Sequence, residues 1–137
     1  MNRTELQQLA ELRISEAGIL LANRAWDGAY YLAGYAVECA LKACIAKQTQ
    51  AEEFPDKKRA ERAWKHDVKE LLAAAGLADV LHGVVVPKSR QGKFWDSVYD
   101  WSEQSRYTRN SRQLAEELFE AITDNQLGVL PWLRQHW

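Results

Sequence analysis

His66 is the residue in this chain best placed to do chemistry, because it precedes Asp67 where a charged segment turns apolar. Metal-independent RNA cleavage needs a base that takes a proton from a 2′-hydroxyl. It also needs a cation that stabilises the charge developing on the phosphate. Histidine and arginine suit these roles, so His66 is a candidate base, with Arg59 or Arg106 as the phosphate ligand. The alternative is that His66 only caps or packs against a helix start.

Basic residues with aromatic neighbours form a second candidate site, for a nucleotide or an RNA backbone. The six bases are Lys88, Arg90, Lys93, Arg106, Arg109 and Arg112, and the aromatics beside them are Phe94, Trp95 and Tyr107. Solvated helix ends often carry such charges, which is the alternative interpretation. The formal net charge of -1 argues against a general attraction to nucleic acid. The spacing of His and Cys predicts no metal site and no cofactor.

The stretch "AYYLAGYAVECALKACIA", residues 29–46, carries only two charges, Glu38 and Lys42. Its length and central charges argue against a membrane span and favour a buried helix. At about 100° per residue, one side of this helix carries a polar and aromatic seam. The seam consists of Asp27, Tyr31, Gly34, Tyr35, Glu38, Lys42 and Ile45. It is either a structural ion pair reaching solvent or the lining of a groove in which Lys42 meets a phosphate.

The elements that position these residues are predicted to be helices, since no segment shows sustained strand alternation. The first helix runs from a Thr4 cap to about Ala22. Its apolar positions are Leu6, Leu9, Leu12, Ile19 and Leu20. The second runs from an Asp27 cap to about Gln48. Residues 51–66 are expected to be a loop with at most one helical turn.

In the second half of the chain, a third helix starts near His66 or Asp67 and ends at Gly76. Residues 77–84 add a short helical piece, and residues 87–92 are predicted to be a mobile loop. The fourth helix carries Phe94, Trp95, Val98, Tyr99 and Trp101. The fifth, from about Ser111 to Asp124, has core positions Leu114, Leu118, Phe119 and Ile122. Gly128 and Pro131 are expected to break the tail, which ends in a turn or short helix.

These elements predict an all-α fold, an up-and-down bundle of four to five helices. Residues 1–126 form one domain and residues 127–137 a tail or short helix. Cys39 and Cys44 lie about 140° apart on the second helix, so they are expected to be buried free thiols. The polar N-terminus lacks a signal peptide, and a cytoplasmic protein is predicted.

Four features in order give the chain a resemblance to the HEPN superfamily of small helical, nucleotide-binding domains. "AYYLAGYAVECALKACI" resembles the second-helix signature of that superfamily. His66, Asp67 and Val68 match a His-Asp-hydrophobic step after that helix. Trp101, Arg106 and Tyr107 match a Trp-x-x-x-x-Arg-Tyr step, and a terminal helix rich in Ala and Leu follows over residues 111–123.

The resemblance implies a HEPN-like bundle that commonly forms a homodimer in bacterial or archaeal stress and conflict systems. Members are often paired with a minimal nucleotidyltransferase as a toxin–antitoxin system, and many are metal-independent endoribonucleases. Their catalytic motif is Arg, four to six residues and then His, late in the bundle. Here Arg106 has no His in reach, and only Arg59 and His66 match the spacing.

Two functions from different classes follow. The first is an RNA- or nucleotide-binding protein, with Glu38, Lys42, Arg106 and Tyr107 among its ligand residues and a possible ribonuclease activity. The second is a non-catalytic adaptor or dimerisation module that binds a nucleotidyltransferase or another protein. The missing late Arg…His pair favours the second, and the clustered bases favour the first.

Overall fold

A computed structural model describes residues 1–49, 53–54 and 56–137, and this part of the chain is all-α. Its elements are α1 (Arg3–Ala22), α2 (Trp26–Gln48), α3 (Lys57–Ala63), α4 (Val68–Ala74), α5 (Ala78–Val84), α6 (Arg90–Tyr99), a 3-10 helix (Glu103–Tyr107), α7 (Arg112–Thr123) and α8 (Val129–Arg134). The predicted all-α class is confirmed. In the described ranges, no helix combines the length and apolar character that crossing a membrane requires.

The central element is α2, which contacts α1, α4, α7, α8 and the 3-10 helix. Four of its alanines, Ala33, Ala36, Ala40 and Ala43, are completely buried. Their short side chains let the neighbouring helices approach closely, because interaxial distance depends on side-chain size. The apolar circumference of residues 29–46 therefore reflects burial on several sides.

Both predicted N-caps are wrong. Asn2, not Thr4, caps α1, because its side chain accepts from the backbone N–H of Glu5 at 2.9 Å and the Glu5 carboxylate accepts from the Asn2 N–H. This reciprocal pair is a capping box. Asp27 lies inside the first turn of α2 and accepts from the backbone N–H of Asn110. Its side chain therefore ties α2 to the segment before α7.

Three of the apolar positions named for the predicted helices are exposed, and one of them, Leu114, was predicted to lie in the core. Leu12 and Ile19 on α1 are 52% and 61% exposed, and Leu114 on α7 is 49% exposed. The buried face of α1 is instead formed by Ala10, Ile14 and Ala17. The predicted stripe was rotated away from the side that packs against α2.

The segment before α4 is more helical than predicted. Residues 50–52 and 55 lie outside the described residues, but α3 occupies Lys57–Ala63, where at most one turn was expected. The side chain of Asp56 caps α3 by accepting from the Arg59 N–H at 3.0 Å. This helix packs against α4 and places the segment leading to His66 beside α2.

The predicted loop at 87–92 and the fourth helix also differ from expectation. Ser89 caps α6 by accepting from the Gly92 N–H at 3.0 Å, so the helix already begins at Arg90. It ends at Tyr99, which leaves Trp101 outside the helix in the link to the 3-10 turn. Placing Trp101 in the fourth helix was therefore wrong.

The tail is a packed part of the core. Gly128 and Pro131 lie at the N-cap and in the first turn of α8, where proline is tolerated, so they start a helix. Leu130 and Leu133 are at most 1% exposed and belong to the main core cluster. Farther along, the Arg134 guanidinium binds both oxygens of the Glu11 carboxylate at 2.7 and 2.8 Å, joining α8 to α1.

Candidate functional site

A buried carboxylate lies at the centre of the candidate site. Glu38 on α2 is 1% exposed, and its Oε1 accepts hydrogen bonds from Lys42 Nζ at 2.9 Å and His66 Nδ1 at 2.7 Å. Its other oxygen, Oε2, is buried with no hydrogen-bond partner among the described residues. The spacing of four predicted the contact with Lys42. The contact with His66 comes from the packing of α4 against α2.

The carboxylate fixes the orientation of the imidazole. In the neutral imidazole with its hydrogen on Nδ1, that N–H donates a hydrogen bond to Glu38 Oε1. The second nitrogen, Nε2, then keeps its lone pair, and 48% of the His66 side chain is exposed. A carboxylate that orients an exposed imidazole is the arrangement that general-base histidines use in hydrolases.

Asp67 does not orient His66. Its side chain caps α4 by accepting from the Glu70 N–H at 3.0 Å. The sequence placed this carboxylate beside the histidine, whereas the structure supplies the partner from α2, 28 residues away. The local His-Asp step therefore positions the start of α4, and α4 in turn positions His66.

A hollow of about 350 Å³ opens beside Lys42. It is lined by Met1, Leu6, Lys42, Ile45, Ala46, Ala63 and Trp64. The indole of Trp64 is 83% exposed although it is a large apolar group. Sequence reasoning missed this residue. The signal that could have identified it is its position in a charged segment, as an aromatic residue two positions before the candidate base His66.

An aromatic column covers the rest of the seam. The rings of Tyr31 and Tyr35 stack with centroids 6.1 Å apart, and Trp101 stacks on Tyr31 at 6.2 Å. A Cβ atom at Gly34 would overlap the Trp101 indole, so glycine is required for this close approach. Trp101 thus packs over Tyr31 and Gly34, and the ionisable pair Glu38 and Lys42 lies farther along the seam.

Burial changes the acidity of groups along the seam. It raises the pKa of the Cys39 thiol to about 11, with the negative charge of Glu38 adding to the effect. Burial also raises the pKa of Tyr35, again with contributions from Cys39 and Glu38. Both groups therefore stay protonated at neutral pH, and they lie close enough to Glu38 to feel its charge.

The Arg59 guanidinium is engaged by backbone carbonyls. It donates to the carbonyl oxygens of Ala74 at 3.2 Å, Ile45 at 3.4 Å and Gln48 at 3.5 Å. Carbonyls at helix C-termini lack partners within the helix, so these bonds satisfy the ends of α2 and α4. The contacts give Arg59 a structural position, which leaves Lys42 as the cation beside His66.

Among the described residues, the bases around the 3-10 helix form no ion pair with Glu38, whose partners are Lys42 and His66. The Arg106 guanidinium lies 4.9 Å from the ring centroid of the neighbouring Tyr107, and both side chains are exposed. Arg109 lines a separate hollow with Arg24 and Asn110, at the start of α2. Arg106 and Arg109 are therefore exposed bases, and no histidine held by a carboxylate lies among the residues described beside them.

The earlier basic group does not act as one cluster. The Arg90 guanidinium is paired with Glu120 at 3.3 Å and Asp124 at 2.8 Å on α7. Lys93 is exposed on α6, and Lys88 lines a cleft between α4, α5 and α6. The predicted anion site over Lys88, Arg90 and Lys93 is thus divided among three environments.

Comparison with known proteins gives no match, whether to a family model, a curated protein or a solved structure. Within the described part of the chain, no three His, Cys, Asp or Glu side chains converge as metal ligands would. The site is therefore defined by its own geometry: a buried carboxylate, an oriented imidazole, an ammonium group and an exposed indole.

Proposed function

We propose that the chain is a HEPN-type RNA- or nucleotide-binding protein of a stress or toxin–antitoxin system, and that it cleaves RNA without a metal. The observation that carries the proposal is the shared Glu38 Oε1, which holds the His66 imidazole and the Lys42 ammonium side by side. A structural ion pair needs no exposed imidazole as a third member. In a site that moves a proton next to a phosphate, an accessible imidazole is the commonest general base.

The chemistry follows from the positions of these groups. Nε2 of His66 accepts the proton of a ribose 2′-hydroxyl, and the 2′-oxygen attacks the adjacent phosphorus. The bond from phosphorus to the 5′-oxygen breaks, and water protonates the leaving oxygen. The products are a 2′,3′-cyclic phosphate and a 5′-hydroxyl. Glu38 stabilises the imidazolium that forms, and Lys42 faces the negative charge on the phosphate.

Binding of the nucleic acid is assigned to the hollow beside Lys42. The exposed face of Trp64 offers a stacking surface for a base, and such stacking is worth about 1–3 kcal/mol per base. Lys42 lies in the same hollow, so one nucleotide can stack on the indole while its phosphate meets the ammonium. Arg106 and Arg109 extend the attraction to phosphates farther along a strand.

The test is incubation of the purified protein with end-labelled RNA in EDTA, with detection of cyclic-phosphate ends. We expect wild-type cleavage to be lost in His66→Ala and lowered about 100-fold in Glu38→Gln, since the base loses its orienting charge. His82→Ala is the matched control, because His82 is an exposed histidine on α5 outside this site. It should cleave like the wild type.

Binding is measured separately, with ATP and with an RNA oligonucleotide at two salt concentrations. Trp64→Ala should weaken oligonucleotide binding about tenfold or more if a base stacks on the indole. Arg106→Ala should weaken binding at low salt more than at high salt. A folded wild type that binds but never cleaves would overturn the ribonuclease assignment and leave the binding function in place.

The second candidate function is an adaptor that dimerises or binds a nucleotidyltransferase. The observation favouring it is the exposed apolar surface at Trp64 and Phe54, which are 83% and 93% exposed, with Met1 at 79%. Large exposed apolar groups are typical of interaction surfaces. This function predicts that Trp64→Ala converts a dimer, or a complex with a nucleotidyltransferase, into a monomer in sedimentation velocity, while no RNA binds to the wild type.

A further inference from the structure

A cleft of about 520 Å³ lies between α4, α5 and α6 and shares no lining residue with the Lys42 hollow. Its floor is apolar, since Leu72, Leu81 and Trp95 line it and each is at most 4% exposed. Val85 and Pro87 add apolar walls. A concave, mostly apolar cleft of this size falls within the range of small-molecule sites.

The rim of this cleft carries an excess of positive charge. Lys69, Lys88 and His82 line it, with Asp96 as the acidic residue among the lining side chains. Lys69 Nζ lies 5.0 Å from the Tyr99 ring centroid and, like Lys88, forms no ion pair within the described ranges. Two ammonium groups without carboxylate partners at the edge of an apolar cleft suit a ligand with one anionic end.

Lys88 is held at this rim in a costly backbone conformation. Its φ is +65°, in the left-handed region that glycine or asparagine adopts more readily. The surrounding turn is fixed, because Val86 O accepts from Ser89 Oγ at 2.6 Å and a Cβ at Gly92 would lie 2.7 Å from the same oxygen. Residues that their surroundings hold in such a backbone conformation are often found at functional sites.

The Trp95 indole is a fixed part of the floor. Nε1 of Trp95 is buried and has no acceptor among the described residues. The indole is held by aromatic neighbours, with Trp132 at 5.5 Å edge-on and Tyr99 at 6.0 Å. The indole therefore gives the cleft a rigid aromatic element of its floor.

We propose that this cleft binds a small molecule with a planar apolar body and a single carboxylate or phosphate group. The body lies on the floor at Leu72, Leu81 and Trp95, and the anionic group meets Lys88 and Lys69 at the rim. The proposal concerns a second site and does not depend on the RNA chemistry at His66.

The experiment uses three matched probes, 2-naphthoate, 2-naphthyl phosphate and neutral 2-naphthamide, titrated calorimetrically into the full chain. At least one anion should bind about tenfold more tightly than the amide, because only the anions make charge-assisted bonds to the rim. Comparing the two anions distinguishes a carboxylate from a phosphate ligand. In a proton–nitrogen NMR spectrum, the Trp95 indole resonance, assigned with Trp95→Phe, should shift on binding.

Lys88→Gly provides the discriminating variant, since it removes the charge and relieves the backbone strain. We expect a higher Tm together with an anion affinity lowered about tenfold. Lys93→Gln, which changes an exposed lysine on α6 that does not line the cleft, should alter neither quantity. Equal affinity for naphthamide and the anions, or unchanged anion binding by Lys88→Gly, would overturn the proposal.

Discussion

The carboxylate shared by Lys42 and His66 predicts that its partners contribute unequally to stability. The Glu38 side chain is 2% exposed, whereas that of Lys42 is 24% exposed. Removing the cation in Lys42→Met leaves a buried carboxylate with only the imidazole as a partner. Removing the anion in Glu38→Gln leaves an ammonium that can still turn toward water.

The magnitudes follow from this asymmetry. Breaking a buried ion pair by deleting one partner costs about 3–5 kcal/mol when the remaining charge stays buried. His66 still donates to the carboxylate, so Lys42→Met is expected near the lower limit, at about 3 kcal/mol. Glu38→Gln loses charge-assisted bonds but also a desolvated charge, and about 1 kcal/mol is expected. The double variant should be more stable than Lys42→Met alone.

The assay is urea denaturation at pH 7, with the free energy of unfolding compared at constant m-value. Lys57→Met is the matched control, because Lys57 and Glu61 form an i,i+4 pair at 3.9 Å with side chains 89% and 64% exposed. That substitution should change stability by less than about 0.5 kcal/mol. The reasoning is refuted if Glu38→Gln is as destabilising as Lys42→Met, or if the two effects simply add.

Four further predictions concern the scaffold. Gly34→Ala should destabilise the fold by about 3 kcal/mol in urea, because the added methyl group overlaps a packed indole, whereas Gly83→Ala, with no atom nearby, should be neutral or stabilising. Burial raises the pKa of Cys39 and Cys44 to about 11, so neither thiol should react with Ellman's reagent at pH 8 unless the protein is unfolded. Because these thiols ionise more readily in the unfolded chain, stability should fall as the pH rises from 9 to 11, and a double Cys→Ala variant should flatten that decline. Arg59→Lys should lower the free energy of unfolding by about 1 kcal/mol through lost carbonyl contacts and leave RNA cleavage unchanged. Loss of cleavage with normal stability would instead identify Arg59 as a phosphate ligand.

Local sequence patterns were enough to predict the helical fold class and one contact of the candidate site. The apolar stretch 29–46 predicted a helix buried on several sides, and α2 is one. The spacing of Glu38 and Lys42 predicted their contact, because residues four apart lie together on a helix. Such patterns depend on neighbours along the chain, which the sequence displays directly.

The remaining parts of the site depend on tertiary packing. Glu38 meets His66 only because α4 packs against α2, and nothing near His66 in the sequence distinguishes Glu38 from Asp67 as its partner. The exposure of Leu12 also depends on tertiary packing, because an apolar residue on α1 does not reveal which side of that helix α2 will cover. The start of α6 was missed for a different reason: Gly92 suggested a loop, although Ser89 was available as its cap.

The packing of α8 has a consequence for synthesis on the ribosome. Leu133 is completely buried, and its carbonyl oxygen lies 3.8 Å from the Cys44 sulfur on α2, 89 positions earlier. The Glu11–Arg134 ion pair spans 123 positions. While the nascent chain still lacks residues 129–134, the side of α2 that α8 covers stays open to water. A growing chain therefore presents this apolar surface to chaperones until α8 has left the exit tunnel.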